Sequence, residues 1–234
     1  MGQYYKAITK SNNRIKVYSR NVIIDGVPEY TFAKLTEHSW WGNYAVEAVC
    51  KDIYQRQAHT QLIWMGDYAT TFLSYFGLKE FNGLNQAQIR KLFQRTWKDK
   101  GDDVEIPAFS LAGKYIVNHT KGVYIDCDAY YKRCAMKSDG DVWCMHPLPI
   151  LTCIGNGLGG GDYYCPTDDS TFDEVGAWAW DEISIEDTAP KDYAEAEITF
   201  KERGWEEVED TSDSNAQDAI NALLYSKDNL GANV

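Results

Sequence analysis

Apolar residues recur at helical spacing in three stretches of the chain. In "SWWGNYAVEAVCKDIY" they fall at Trp41, Ala45, Ala48, Val49 and Ile53, one face of a helix, with Ser39 or Asn43 available as N-cap. In "NQAQIRKLFQRTWK" Asn85 stands three residues before Gln88, a capping-box arrangement, ahead of a stripe of Ile89, Leu92, Phe93 and Trp97. In "SNAQDAINALLYS" Ser214 and Gln217 repeat that arrangement before Ala216, Ala219, Ile220, Leu223 and Leu224. Between these lie runs with a period of two. "QYYKAI" opens the chain, and "RIKVYSR" sets Ile15 and Val17 against Arg14, Lys16 and Tyr18. "VIIDGVPEYTF" places a turn at Asp25-Gly26, and "QLIWMG" is a short apolar run suited to the centre of a sheet. "KYIVNHTKGVYIDCD" reads as two strands joined at Thr120-Lys121-Gly122, while "GAWAWDEISI" and "AEITFKE" supply late strands.

Clustered strands without strict βαβ alternation predict an α+β fold, with mostly antiparallel sheet packed against about three helices. No internal repeat or boundary is visible, so one domain is expected over residues 1–234. It carries an acidic connector at about 204–213 before a C-terminal helix.

Charge refines this picture. The chain carries a net charge of −12, unevenly spread: residues 162–213 hold 18 acidic and 3 basic side chains, residues 1–161 hold 15 acidic and 19 basic. The acidic total argues against general nucleic-acid binding, while the mildly basic first two-thirds admits a small anion. Fourteen per cent of residues are aromatic, enough to build a core. No apolar run approaches the ~20 residues of a membrane span, and the start lacks the order of a signal peptide, so a cytoplasmic protein is expected. Six cysteines without a CxxC pair are expected as free, mostly buried thiols.

Read together, "MGQYYKAI", "KLTEHSWWGN", "WMGDYA", "KYIVNHTKGVYID", "HPLPILTCIGNGLGGGDY" and "VGAWAWDEI" resemble a family of small proteins of bacteriophages and prophage-carrying bacteria. The resemblance runs in order through residues 1–185. It implies a phage or mobile-element setting, hence the cytoplasm of a bacterial host, and brings no settled activity.

The segment after Ile154 holds Asn156, Gly157, Gly159, Gly160, Gly161 and Asp162. Glycines expose successive backbone N–H groups, which form concavities for anions such as phosphates. A tight hairpin beside the core explains them equally well. The segment lacks GxxxxGK[ST] and is followed by no helix, so neither a P-loop nor a Rossmann reading applies. His38, His119 and His146 stand beside carboxylates or amides, and with Asp67 they form the candidate acid–base set, since imidazole titrates near neutrality. Asp67 alternatively caps a following helix. A divalent metal on this set is a minor alternative unsupported by HExxH or HxH spacing, and no cofactor is expected. Trp40, Asn43, Trp64 and Asn118 complete the candidate ligand residues, because aromatic faces stack on bases and amides bond to them. Trp178 is open between stacking and core. Cys144 and His146 alternate onto one strand face, the only Cys–His proximity in the sequence.

The favoured expectation is a binder of a small anionic ligand, a nucleotide or phosphorylated metabolite, with sequestration of a host defence signal as its expected role in a phage setting. One alternative is a nucleotide-directed hydrolase using the His/Asp set. Another is an acidic module that engages a host protein, and self-association is compatible with all three.

Overall fold

The computed structural model describes residues 3–24, 27–30, 34–99, 101–105, 109–138, 141–155, 174–198 and 206–207. Strands β1 (Tyr5–Ser11) and β2 (Arg14–Ile24) form an opening hairpin with Ser11 opposite Arg14. Asn12 and Asn13 turn it with φ of 48° and 62°. Two successive left-handed residues match the twist of the flanking strands, and asparagine tolerates that region. Strand β3 (Val27–Tyr30) folds back with Val27 opposite Ile24, on either side of Asp25-Gly26.

Next come α1 (Leu35–His38), α2 (Tyr44–Arg56), β4 (Thr60–Gly66), a 3-10 turn at Ala69–Thr71 and α3 (Phe72–Tyr75). The small hairpin β5 (Glu80–Phe81) and β6 (Leu84–Asn85) leads into α4 (Gln86–Lys98) and β7 (Asp102–Glu105). Helix α4 starts where its sequence says it should. The Asn85 side chain accepts from Ala87 and Gln88 N–H, and the Gln88 side chain returns the bond to the Asn85 backbone.

The second half runs β8 (Tyr115–Asn118), β9 (Val123–Asp126), α5 (Cys127–Cys134), β10 (Met136–Ser138), β11 (Asp141–Trp143), α6 (Pro147–Leu151) and β12 (Cys153–Ile154). Strands β13 (Glu182–Glu186), β14 (Ala194–Glu195) and β15 (Glu206–Glu207) follow. Within the acidic connector, β15 pairs with β10 at the edge of a small sheet. The late strand expected from "GAWAWDEISI" is shorter than its apolar pattern: residues 174–180 form turns, and Trp180 at φ 67° breaks the extended run before β13. The C-terminal helix expected from Ser214 onward lies outside the described residues.

The main sheet orders as β14-β9-β8-β13-β4-β1-β2-β3, with β12 also on β4 and β7 on β2. Most pairs are antiparallel; β12–β4, β7–β2 and β14–β9 are parallel. The fold is α+β. Strand β4 is buried on both faces, and its alternation explains how. Leu62 and Trp64 enter one core with Ala45, Val46, Val49, Cys50 and Ile53 of α2. Ile63 and Met65 enter a second core with Phe72 and Leu73 of α3 and Ile89 and Leu92 of α4. Helices therefore cover both faces of the sheet at its centre, as a strand without polar alternation demands.

Gly66 closes β4 at a point of close approach. A Cβ there would meet the Gln3 side chain and lie 3.0 Å from both Ile154 O and the Tyr5 ring. β12 thus packs tightly against the end of β4 and delivers the chain, at Gly155, to the start of the glycine segment. On its far side Gly176 N–H donates to Ile150 O at 2.8 Å and Trp178 N–H to Leu151 O at 2.7 Å. Both described flanks are anchored, one on β4 and the other on α6, which a linker would not need.

Candidate functional site

The structure separates His119 from His38 and His146. His146 is 1% exposed and caps α6, its Nδ1 accepting from Leu148 N–H at 3.2 Å. Its ring stacks on Trp41 with centroids 5.1 Å apart, and its Nε2 lies 3.6 Å from Cys50 Sγ. Burial drives its pKa down to about 3, so it is neutral at physiological pH. The cysteine partner is Cys50 of α2, not Cys144, whose thiol turns to the Met145 carbonyl. Burial also pushes the Cys50 and Cys144 thiols well up, so both stay protonated and inert. Cys127, Cys134 and Cys153 are likewise buried.

His38 ends α1 and accepts from Lys34 N–H through Nδ1 at 3.3 Å. It stacks on Trp40, which meets Trp143 edge-on. Residues 39–41 run against 144–146 through His146 N–H to Ser39 O at 2.6 Å and Trp41 N–H to Cys144 O at 2.7 Å. His38 and His146 therefore flank one seam, each against its own tryptophan.

Asn43, Asp67 and Trp64 make structural contacts. Asn43 caps α2, its side chain accepting from Ala45 and Val46 N–H at 3.0 and 3.3 Å. Asn43→Ala is expected to cost about 1 kcal/mol and Asn43→Ser to restore most of it, read by urea unfolding. A role in ligand contact would instead leave stability unchanged in both variants. Asp67 does not cap the following turn, whose cap position is Tyr68 without a side-chain bond. It extends the β1–β4 ladder, donating its N–H to Tyr4 O at 2.9 Å and accepting Tyr4 N–H on Oδ1 at 3.1 Å. Trp64 and Trp178 are buried in the α2-side core. Asn156, Gly157, Gly159, Gly160, Gly161 and Asp162 lie outside the described residues.

His119 belongs to a different neighbourhood. Asn118, His119 and Thr120 grip the start of β13 one after another. Asn118 Nδ2 donates to Asp181 Oδ2 at 2.8 Å, His119 N–H to Glu182 O at 2.8 Å, and Glu182 N–H to Thr120 Oγ1 at 2.9 Å. The His119 ring stacks on His59 at 3.6 Å between centroids, 13° from parallel. His59 Nδ1 is 3.4 Å from Glu182 Oε2. Burial, then the neighbouring His59, lowers the His119 pKa, only partly offset by Glu186 and Glu182. Among the described residues no group of three His, Cys, Asp or Glu side chains is placed to hold a metal ion.

A second feature comes from residues that the sequence pattern did not single out as a site. Arg14 and Lys16 project from β2, Arg56 ends α2, and Arg95 stands in the last turn of α4. With Ser11, Asn12 and Asp99 they border a groove of about 700 Å³. Asp52 takes Lys16 Nζ at 2.7 Å, Arg56 Nη2 at 3.1 Å and the Tyr18 hydroxyl at 2.6 Å. Burial opposes ionisation of Asp52, but the bonds from Lys16 and Tyr18 and the charges of Lys16 and Arg56 outweigh it and hold its pKa down. Arg95 faces Asp99 at 3.3 Å, and Arg14 forms no ion pair among the described residues. Cations therefore exceed carboxylates around the groove. A neighbouring hollow continues past Arg95 and Asp99 to Lys91 and Lys98.

The alternation of Arg14 and Lys16 was visible in the sequence. Their meeting with Arg56 and Arg95 was not, because it depends on how two helices lie against the hairpin. No helix among the described residues is long and apolar enough to cross a membrane. Comparison of the chain with protein-family models, with curated proteins and with solved structures finds no match.

Proposed function

We propose that the chain binds a small anionic ligand, a nucleotide or phosphorylated metabolite, with its phosphate in the groove bordered by Arg14, Lys16, Arg56 and Arg95. The observation that carries this reading is a local excess of cations in a chain of net charge −12. Like charges gathered in one groove repel one another, and an anion relieves that repulsion. Guanidinium groups bind phosphate oxygens through paired, charge-assisted hydrogen bonds, stronger than neutral ones. The groove's volume of about 700 Å³ suits a ligand of nucleotide size. Extended nucleic acid fits poorly, since the acidic remainder of the chain would repel it. A role in blunting a host signalling nucleotide during phage infection is part of the same proposal and rests on the sequence resemblance.

Purified protein incubated with a pool of mono-, di- and cyclic nucleotides, followed by mass spectrometry, tests the reading. One species is expected to be depleted and returned unchanged on heating. Its affinity should fall with rising salt. Arg14→Ala and Arg95→Ala should each weaken binding by roughly tenfold, the scale of one hydrogen-bonded charge. An untouched pool overturns the ligand class. Binding that survives both substitutions but is lost on replacing Gly159 and Gly160 by valine moves the ligand to the glycine segment and overturns the groove.

A further inference from the structure

Ser184 stands on β13 between Glu186 and His119. Its Oγ donates its one proton to Glu186 Oε1 at 2.6 Å and lies 2.7 Å from His119 Nε2. His119 Nδ1 is 3.3 Å from the Tyr193 hydroxyl oxygen. With that oxygen accepting the Nδ1 proton, Nε2 carries the lone pair, and turning the Ser184 hydroxyl from Glu186 to Nε2 brings its proton to the base. Glu186 Oε1 is 3.5 Å from the same Nε2, where positive charge would appear once the ring took up a proton. A nucleophile, a base within hydrogen-bond reach and a third group orienting that base is the arrangement that activates a hydroxyl.

Access and rigidity point the same way. Ser184 and Glu186 line a hollow of about 370 Å³ together with His59, Tyr54, Gln57 and Asp187. The base is held from several sides: backbone to Glu182, ring face on His59, Nδ1 on Tyr193. Such support keeps a constellation in productive geometry.

We propose that Ser184 is the nucleophile, and His119 the general base, of a serine hydrolase centre acting on small carboxylic esters. Ser184 Oγ attacks the ester carbonyl carbon while its proton passes to His119 Nε2. The bond to the alcohol oxygen breaks, that oxygen takes the proton from the imidazolium, and the alcohol leaves. Water then attacks the acyl carbon and gives a proton to His119. The acyl–Oγ bond breaks, Oγ recovers that proton, and the carboxylic acid departs. Tyr193 is a positioning residue, and Glu186 stabilises the imidazolium. Glu186 and Asp187 in the lining favour a neutral or cationic ester over an anionic one. This centre is separate from the cationic groove and does not depend on its ligand.

The test uses the purified chain, a fluorophosphonate probe and p-nitrophenyl acetate. Peptide mass spectrometry is expected to find the phosphonyl adduct on Ser184, and Ser184→Ala should abolish it at an unchanged melting temperature. His119→Gln should slow labelling and ester cleavage by about 10²–10⁴-fold, the usual contribution of a general base. The wild-type labelling rate should fall on acidification, with a midpoint below the 6.5 of an ordinary histidine, because burial and His59 oppose protonation of His119 more than Glu182 and Glu186 favour it. Absence of a Ser184 adduct in the folded wild-type protein overturns the proposal. So does ester cleavage equal in wild type and Ser184→Ala, or labelling independent of pH between 4 and 8. The wild-type profile decides the matter even if a variant fails to fold.

Discussion

Replacing Trp64 by alanine is expected to destabilise the protein by about 3–5 kcal/mol, a large share of the roughly 5–15 kcal/mol that a folded domain commands. Trp64 is 1% exposed on β4, which occupies the centre of the main sheet. It stands opposite Ala7 of β1 on one side and Cys153 of β12 on the other. Its side chain enters the core shared with Val46, Val49 and Ile53 of α2. Hydrogen-bonded strands on both edges prevent the backbone from closing in, so the lost volume would persist as a cavity. The cost is then the transfer free energy of the indole plus the cavity term. Urea unfolding of wild type and variant measures the difference. Trp143→Ala serves as the contrast, because Trp143 is 36% exposed and its loss should change stability by well under 1 kcal/mol. A Trp64→Ala cost below about 1 kcal/mol would mean that β4 is not the packed centre described above.

Acid should expose the second large effect. The buried His146 has its pKa lowered from 6.5 to about 3. The folded state therefore holds the ring neutral, while the unfolded chain takes up a proton once pH falls below about 6.5. Unfolding then gains a proton, so stability falls with decreasing pH. The loss begins near the unfolded pKa and levels off only near the folded one, amounting to on the order of 5 kcal/mol across that window. Other groups titrate in the same range, so the comparison must be with a non-titrating variant. His146→Asn keeps a side-chain acceptor for Leu148 N–H and removes the imidazole. Its stability should start lower at pH 7, from lost packing on Trp41, and then fall less steeply towards pH 4. The difference in slope should approach one proton. Parallel curves would show that His146 is protonated in the folded protein or exposed to solvent.

Much of the fold was legible in local pattern. Asn85 and Gln88 marked the start of α4, and the α2 stripe turned inward as its spacing required. The β8–β9 hairpin meets at Thr120-Lys121-Gly122, and "QLIWMG" lies at the sheet centre. Helix α5 escaped notice although Cys127, Tyr130, Tyr131 and Cys134 form a helical stripe, all four buried. Five of its eight residues, Cys127, Asp128, Tyr130, Tyr131 and Cys134, are poor helix formers, and it follows β9 with no intervening turn, so tertiary burial outweighs propensity. Helix α6 holds Pro147 and Pro149 in a five-residue segment, where proline fits the first turn but hides the helical pattern.

The candidate sites were legible only in fragments. His119 and Asn118 were singled out, yet His59, Ser184, Glu186 and Tyr193 were not. They arrive from a loop before β4, from β13 and from the chain beyond it. Arg14 and Lys16 appeared as the polar face of a strand, and only the approach of α2 and α4 gathers Arg56 and Arg95 beside them. His146 looked like an acid–base group and is a buried cap. The sequence by itself determined the local elements, their buried faces and the uneven charge, because caps, turns and hydrophobic period act between residues a few positions apart. Only the tertiary structure decided which polar side chains stay in water, which are dried out and which meet. Burial and pairing depend on segments separated by tens of residues, and a period along the chain identifies a face without identifying what will cover it.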